Sequence, residues 1–147
     1  MITKPEKRHF FTGYYAVAGK YPPELTQVRI SSSAPHWWGG KIKVYVPEFV
    51  FRHFKAWKAG TWKGDYRTDY LKQLEELKAS GVLATILAKL PNDSIFLCYE
   101  RDVRECHRSY LTEFLVAHDL ADVTEFQLPG AEKACACRTR VQLDFGM

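Results

Sequence analysis

Cys98 and Glu100, two positions apart, and His107 with Arg108 a little further along are the residues whose types and spacing could do chemistry. Ile95, Phe96 and Leu97 form a continuous apolar run, which reads as a strand buried on both faces, and Cys98 stands at its end. Asp102 and Glu105 make a capping-box-like pair that starts a helix near Val103 and carries it through Leu111 and Phe114 to about His118. A thiol at the carboxyl end of a strand, facing the free N–H groups of the next helix, is in a setting that favours the thiolate. On that reading Cys98 is the nucleophile, Glu100 its polar neighbour and His107 the proton carrier, with Arg104 and Arg108 orienting an anion.

Three other readings use the same residues. Cys98 and Arg104 have the Cys-x5-Arg spacing of thiol-dependent phosphate-ester enzymes, but Glu100 and Asp102 between them would repel a phosphate, and no glycine lets the loop close. Cys98, Cys106 and His107, with or without the Cys135 and Cys137 pair, could hold zinc, although Cys-x7-Cys-His lacks knuckle spacing. A purely architectural reading makes Glu100 and Arg108 a buried ion pair that anchors the helix to the sheet. Successive helical residues point about 100° apart, so Cys106, His107 and Arg108 cannot all face one crevice.

The elements that would position these residues follow from pattern. His9 to Val17 reads as a strand with Gly13 marking a bulge or a close backbone approach, and Leu25 to Ser31 alternates as a second strand. The loop from Ser32 to Gly40 holds Trp37 and Trp38 beside His36, either as a lid over a ligand or as a satellite core. Ile42 to Val46 is a short strand. Pro47 opens a helix whose Phe49, Val50, His53, Phe54 and Trp57 share a face. Asp65 caps a helix to about Ser80, stopped by Gly81, and a short helix covers Val82 to Leu90. Val123 to Leu128 is the last strand. Buried strands separated by helices predict an α/β fold: a single three-layer, Rossmann-like domain over residues 1–130 with a mainly parallel sheet, followed by a tail over 131–147.

Composition sets the class. With 147 residues, 46% hydrophobic and 26% charged, the chain has enough apolar side chains for one sizeable core, which excludes disordered and fibrous classes. Its apolar runs are too short for a membrane span and its start lacks a signal-peptide pattern, so a cytoplasmic location is expected. The net charge of +4 divides unevenly. Residues 1–64 carry 11 Lys/Arg against 3 Asp/Glu and 13 of the 21 aromatic residues, whereas residues 65–147 carry 10 against 14. Cations interleaved with flat rings suit phosphates and bases, so the expected partner is an anionic ligand, a nucleotide or nucleic acid, unless the rings are simply core.

The string Ile95-Phe96-Leu97-Cys98-Tyr99-Glu100, followed by Cys106-His107-Arg108 and then Tyr110, Leu111, Phe114 and Leu115, resembles domain-of-unknown-function family 488, found in bacteria and phages. The resemblance extends upstream through Val28-Arg29-Ile30-Ser31, Pro35 and Gly39, and through Tyr66, Tyr70, Leu71 and Leu74, covering about residues 10 to 128. It implies a Rossmann-like domain whose site is built from Arg29, Cys98, Glu100, Cys106, His107 and Arg108, and it supplies no reaction. Gln27 departs from the acidic residue that many members carry there, and Cys135 and Cys137 lie outside the resemblance. The expectation is therefore a small enzyme or binding protein acting on a nucleotide, a nucleoside derivative or nucleic acid. Arg29, Arg104, Arg108, Trp37 and Trp38 would hold the ligand; no cofactor is expected, with zinc as the alternative. The competing expectation is a non-enzymatic nucleic-acid-binding or host-interaction protein in which the Cys/His cluster is structural.

Overall fold

The computed structural model describes residues 8–38, 44–99 and 107–128. Five strands form one wholly parallel sheet: β1 (Arg8–Tyr14), β2 (Gln27–Arg29), β3 (Val44–Tyr45), β4 (Ile95–Cys98) and β5 (Ala121–Glu125), in the order β3-β2-β4-β1-β5. The helices are α1 (Phe54–Lys58), α2 (Tyr66–Ser80), α3 (Val82–Lys89) and α4 (His107–Ala117). This is the single α/β, Rossmann-like domain expected.

Strand alternation sorts the apolar residues into two layers. Phe10, Val28, Phe96 and Val123 face one side and pack with Tyr70, Leu74, Leu83, Leu87, Leu111 and Leu115 of the helices. Ile95 and Leu97 face the other side, where Tyr15, Ala18, Tyr21 and Trp38 cover them from a 3-10 helix (Tyr15–Lys20) and the segment after β2. Gly13 is a close-approach glycine, as expected: a Cβ there would run into the Tyr21 ring and sit 3.0 Å from Ile95. The Tyr21 hydroxyl accepts from the Tyr14 N–H in that gap.

Local signals explain α2 well. Asp65 accepts from the Thr68 N–H at 2.9 Å, and Gly81 takes the left-handed conformation (φ 85°) that ends the helix. The helix expected from Pro47 is broken instead. A 3-10 turn over Pro47–Phe49 gives way at Val50, and α1 begins only at Phe54. Gln73 of α2 causes the break by taking the backbone groups that a helix would use. Its amide donates to the Glu48 and Val50 carbonyls (3.1 and 2.6 Å) and accepts from the Arg52 N–H (2.9 Å). The first strand ends earlier than expected, at Tyr14, and the last runs over Ala121–Glu125 rather than Val123 to Leu128. The helix start at Asp102 to Cys106 and the tail over 131–147 lie outside the described residues.

Candidate functional site

At the carboxyl edge of the sheet the chain leaves β2 toward β3 on one side, while β4 leads to β5 on the other, so the two strand ends part. Such a switch point is where open parallel sheets hold ligands. A cavity of about 270 Å³ lies there, lined by Ser31, Ser32 and Ser33 after β2, Tyr99 after β4, Val50, Phe51, Phe54 and Lys58 around α1, and His107 at the start of α4. An adjoining groove of about 580 Å³ shares Ser32, Val50, Phe51 and Phe54 with it and extends along Lys55, Glu48 and Gln73.

The serine loop is fixed from both sides. The Tyr15 hydroxyl donates to Ser31 Oγ at 2.7 Å, and Ser31 passes its own hydrogen to the Ser33 carbonyl. Burial pushes the Tyr15 hydroxyl up to about 12, which keeps it a donor. Arg29 donates from Nε to the Ser31 carbonyl (3.0 Å) and from Nη2 to the Ser32 carbonyl, and its guanidinium lies 4.0 Å from the centre of the Tyr45 ring.

His107 is buried and its Nε2 sits 2.6 Å from the Ile30 carbonyl oxygen. A carbonyl only accepts, so Nε2 carries the hydrogen. Desolvation lowers the ring to about 4, so it is neutral near pH 7 and a weak base. Tyr70, with its hydroxyl on the Phe49 carbonyl (2.7 Å), holds the ring edge-to-face at 5.4 Å. His107 therefore presents a fixed, uncharged wall to the cavity.

Arg108, the next residue, points elsewhere, as the 100° rule requires. Its fully buried guanidinium donates from Nε and Nη2 to the two carboxylate oxygens of Glu125, at 3.0 Å each, and from Nη1 to Cys98 Sγ at 3.2 Å. Thr12 Oγ1 adds a 2.6 Å bond to Glu125 Oε1. Strand register makes this cluster: Thr12 pairs with Glu125 and Tyr14 pairs with Cys98, so all four lie on the helix-facing side under Arg108. The Glu100–Arg108 pair read from the sequence has one partner outside the described residues; among the described residues the carboxylate that meets Arg108 is that of Glu125. Glu125 and Thr12 were missed, although Glu125 falls in phase with the buried Ala121 and Val123, which is the signal of a paired acid on a core-facing position.

The expected site residues do not all converge. Cys98 is fully buried and disulfide-bonded, so its sulfur is not the open thiolate expected at that position; it is the sole cysteine among the described residues. Arg29 pairs in register with Leu97, which places it on the opposite face of the sheet from Cys98 and Arg108. Trp38 is satellite core: it is 8% exposed, its Nε1–H donates to Gln27 Oε1 at 2.7 Å, and it packs on Tyr15. Trp37 is 55% exposed. Glu100, Arg104 and Cys106 lie outside the described residues, as do Cys135 and Cys137, on which the zinc alternative depends. Among the described residues no group of three or more His, Cys, Asp or Glu could hold a metal ion, and no helix is long and apolar enough to cross a membrane.

A parallel α/β sheet with a cavity at its switch point and a buried arginine–carboxylate pair beneath the following helix defines a single-domain α/β protein with a cavity at its carboxyl edge. Within that class, the family model of the domain of unknown function DUF488 matches residues 51–115 of the chain. That span holds the α1 wall of the cavity, β4, His107 and Arg108, whereas Arg29 and Glu125 lie beyond it. No curated protein and no solved structure matches the chain.

Proposed function

We propose that the protein binds a nucleotide unit, as a nucleotide, a nucleoside derivative or part of a nucleic acid, in the cavity at the β2/β4 switch point. The lining of that cavity carries the proposal. Lys58 supplies a cation, Ser32 and Ser33 supply hydroxyls for an anionic group, and Phe51, Phe54 and Tyr99 supply flat or apolar surface for a ring. A volume of about 270 Å³ suits one small ring-bearing ligand rather than a large cofactor. His107, neutral and oriented, adds a polar contact without adding charge. Cys98, Arg108 and Glu125 act as the frame that fixes the first turn of α4, and therefore His107, against the cavity.

Titration calorimetry with adenosine and uridine 5′-monophosphate tests the reading. Saturable binding is expected, weakened roughly tenfold by Lys58→Gln, since one charge-assisted contact is worth about 1.5 kcal/mol or more. Absence of binding by either nucleotide at millimolar concentration, in a folded protein, would refute it.

A further inference from the structure

Exposed aromatic side chains are costly to leave on a surface, and among the described residues there are four: Trp37, Tyr45, Trp57 and Tyr99, each between 40% and 55% exposed. All four belong to one edge of the molecule. Trp37 follows β2, Tyr45 ends β3, Trp57 lies on α1 after β3, and Tyr99 follows β4, so each sits at or beyond the carboxyl end of a strand. The exposed large aliphatic residues, Val82 and Val116, lie on α3 and α4 instead.

Three of the four rings are held in place. The Arg29 guanidinium, itself bound to the Ser31 and Ser32 carbonyls, backs Tyr45. Trp57 meets Tyr66 edge-on at 4.8 Å, and Tyr99 meets Tyr15 edge-on at 5.0 Å. Fixed rings lose little freedom when a second flat group stacks on them, which is what a binding platform needs. The cations are in the same place. Lys58 lines the cavity and Lys55 lines the groove beside it, three residues apart on α1 and therefore on one helix face. Glu48 and Glu76 also line the groove, and Arg52 takes Glu76 at 2.9 Å.

We infer that the ligand of this edge is a single strand of nucleic acid rather than a free nucleotide: one nucleotide unit occupies the cavity, neighbouring bases stack on the exposed rings, and Lys55 meets a second phosphate. The inference rests on the nucleotide reading of the cavity and names its substrate class. Stacking platforms combined with spaced cations are how proteins hold single strands, whereas a lone nucleotide would leave the outer rings and Lys55 without a role.

Fluorescence anisotropy with labelled eight-residue oligothymidylate and oligouridylate, compared with calorimetry on the mononucleotides, tests it. Wild-type protein should bind an oligomer at least tenfold more tightly than a mononucleotide. Trp57→Ala and Tyr45→Ala should each weaken the oligomer roughly fivefold or more while leaving the mononucleotide unchanged. Lys55→Gln should do the same and reduce the salt dependence of log K by about 0.7 per log unit of salt. These side chains are exposed, and unchanged unfolding midpoints confirm that the variants are folded. Equal affinity for oligomer and mononucleotide would overturn the inference and leave the cavity reading standing; failure of both ligands would remove the cavity reading as well.

Discussion

Replacing Glu125 by Gln keeps the shape of the side chain and removes the carboxylate charge that meets Arg108 among the described residues. The Arg108 side chain is 0% exposed and that of Glu125 9%, and the pair is joined by two parallel bonds of 3.0 Å. In water such a pair contributes about 0–1 kcal/mol, but here both groups have been desolvated, and breaking a buried pair costs roughly 3–5 kcal/mol. The amide nitrogen of Gln would also turn a donor toward one of the guanidinium donors, which keeps the expected loss within that range. For a domain with about 5–15 kcal/mol of stability this is a large fraction. Urea unfolding followed by tryptophan fluorescence measures the loss, and a double-mutant cycle with Arg108→Met isolates the coupling. Arg52 and Asp69, a more exposed pair at 3.0 Å, serve as the internal comparison, where Arg52→Gln should cost no more than about 1 kcal/mol. A Glu125→Gln loss no larger than that of Arg52→Gln would refute the claim that burial makes this pair the clamp of α4.

Other consequences follow from single residues. Burial holds His107 at about 4, below the 6.5 of an exposed imidazole, so the unfolded chain takes up this proton first as pH falls. Its contribution, on the order of 3 kcal/mol, is present above about pH 6.5 and is lost progressively toward pH 4; His107→Gln should flatten the stability profile in that window, and an unchanged slope would count against a buried neutral ring. The paired tryptophans should separate: Trp38→Ala should cost about 3–5 kcal/mol in urea unfolding and Trp37→Ala less than about 0.5, because only Trp38 is core. Gly13→Ala should cost roughly 1–3 kcal/mol by pushing Tyr21 from its place, and a neutral result would mean that the gap is wider than the Ile95 contact indicates.

Much of the fold was legible because its signals are local. Asp65 and Gly81 bracket α2, and the apolar run at Ile95 to Leu97 marks a strand buried on both faces. What failed to show was decided by residues distant in sequence. The apolar spacing from Phe49 to Trp57 is helical, yet Gln73 interrupts the helix from another element. The insertion of β4 between β2 and β1 is likewise invisible to pattern, since β4 follows β3 in the chain.

Strand register decided the site in the same way. Arg29 and Cys98 both stand at the ends of strands, and the sequence places them equally well in one cluster. Alternation fixes which of Val28, Arg29 and Ile30 share a face, but it cannot say which residues of a neighbouring strand join them. That is settled when Arg29 aligns with Leu97, one residue short of Cys98. The single-residue offset sends Arg29 to the serine loop and Tyr45 on one face, and leaves Cys98 to Arg108 on the other. Arg29 thereby acts on the cavity through the backbone it holds, and Arg108 acts on it through the helix that carries His107. The two arginines expected to grip a ligand together instead set two walls of one cavity, and among the described residues the cation that lines it is Lys58.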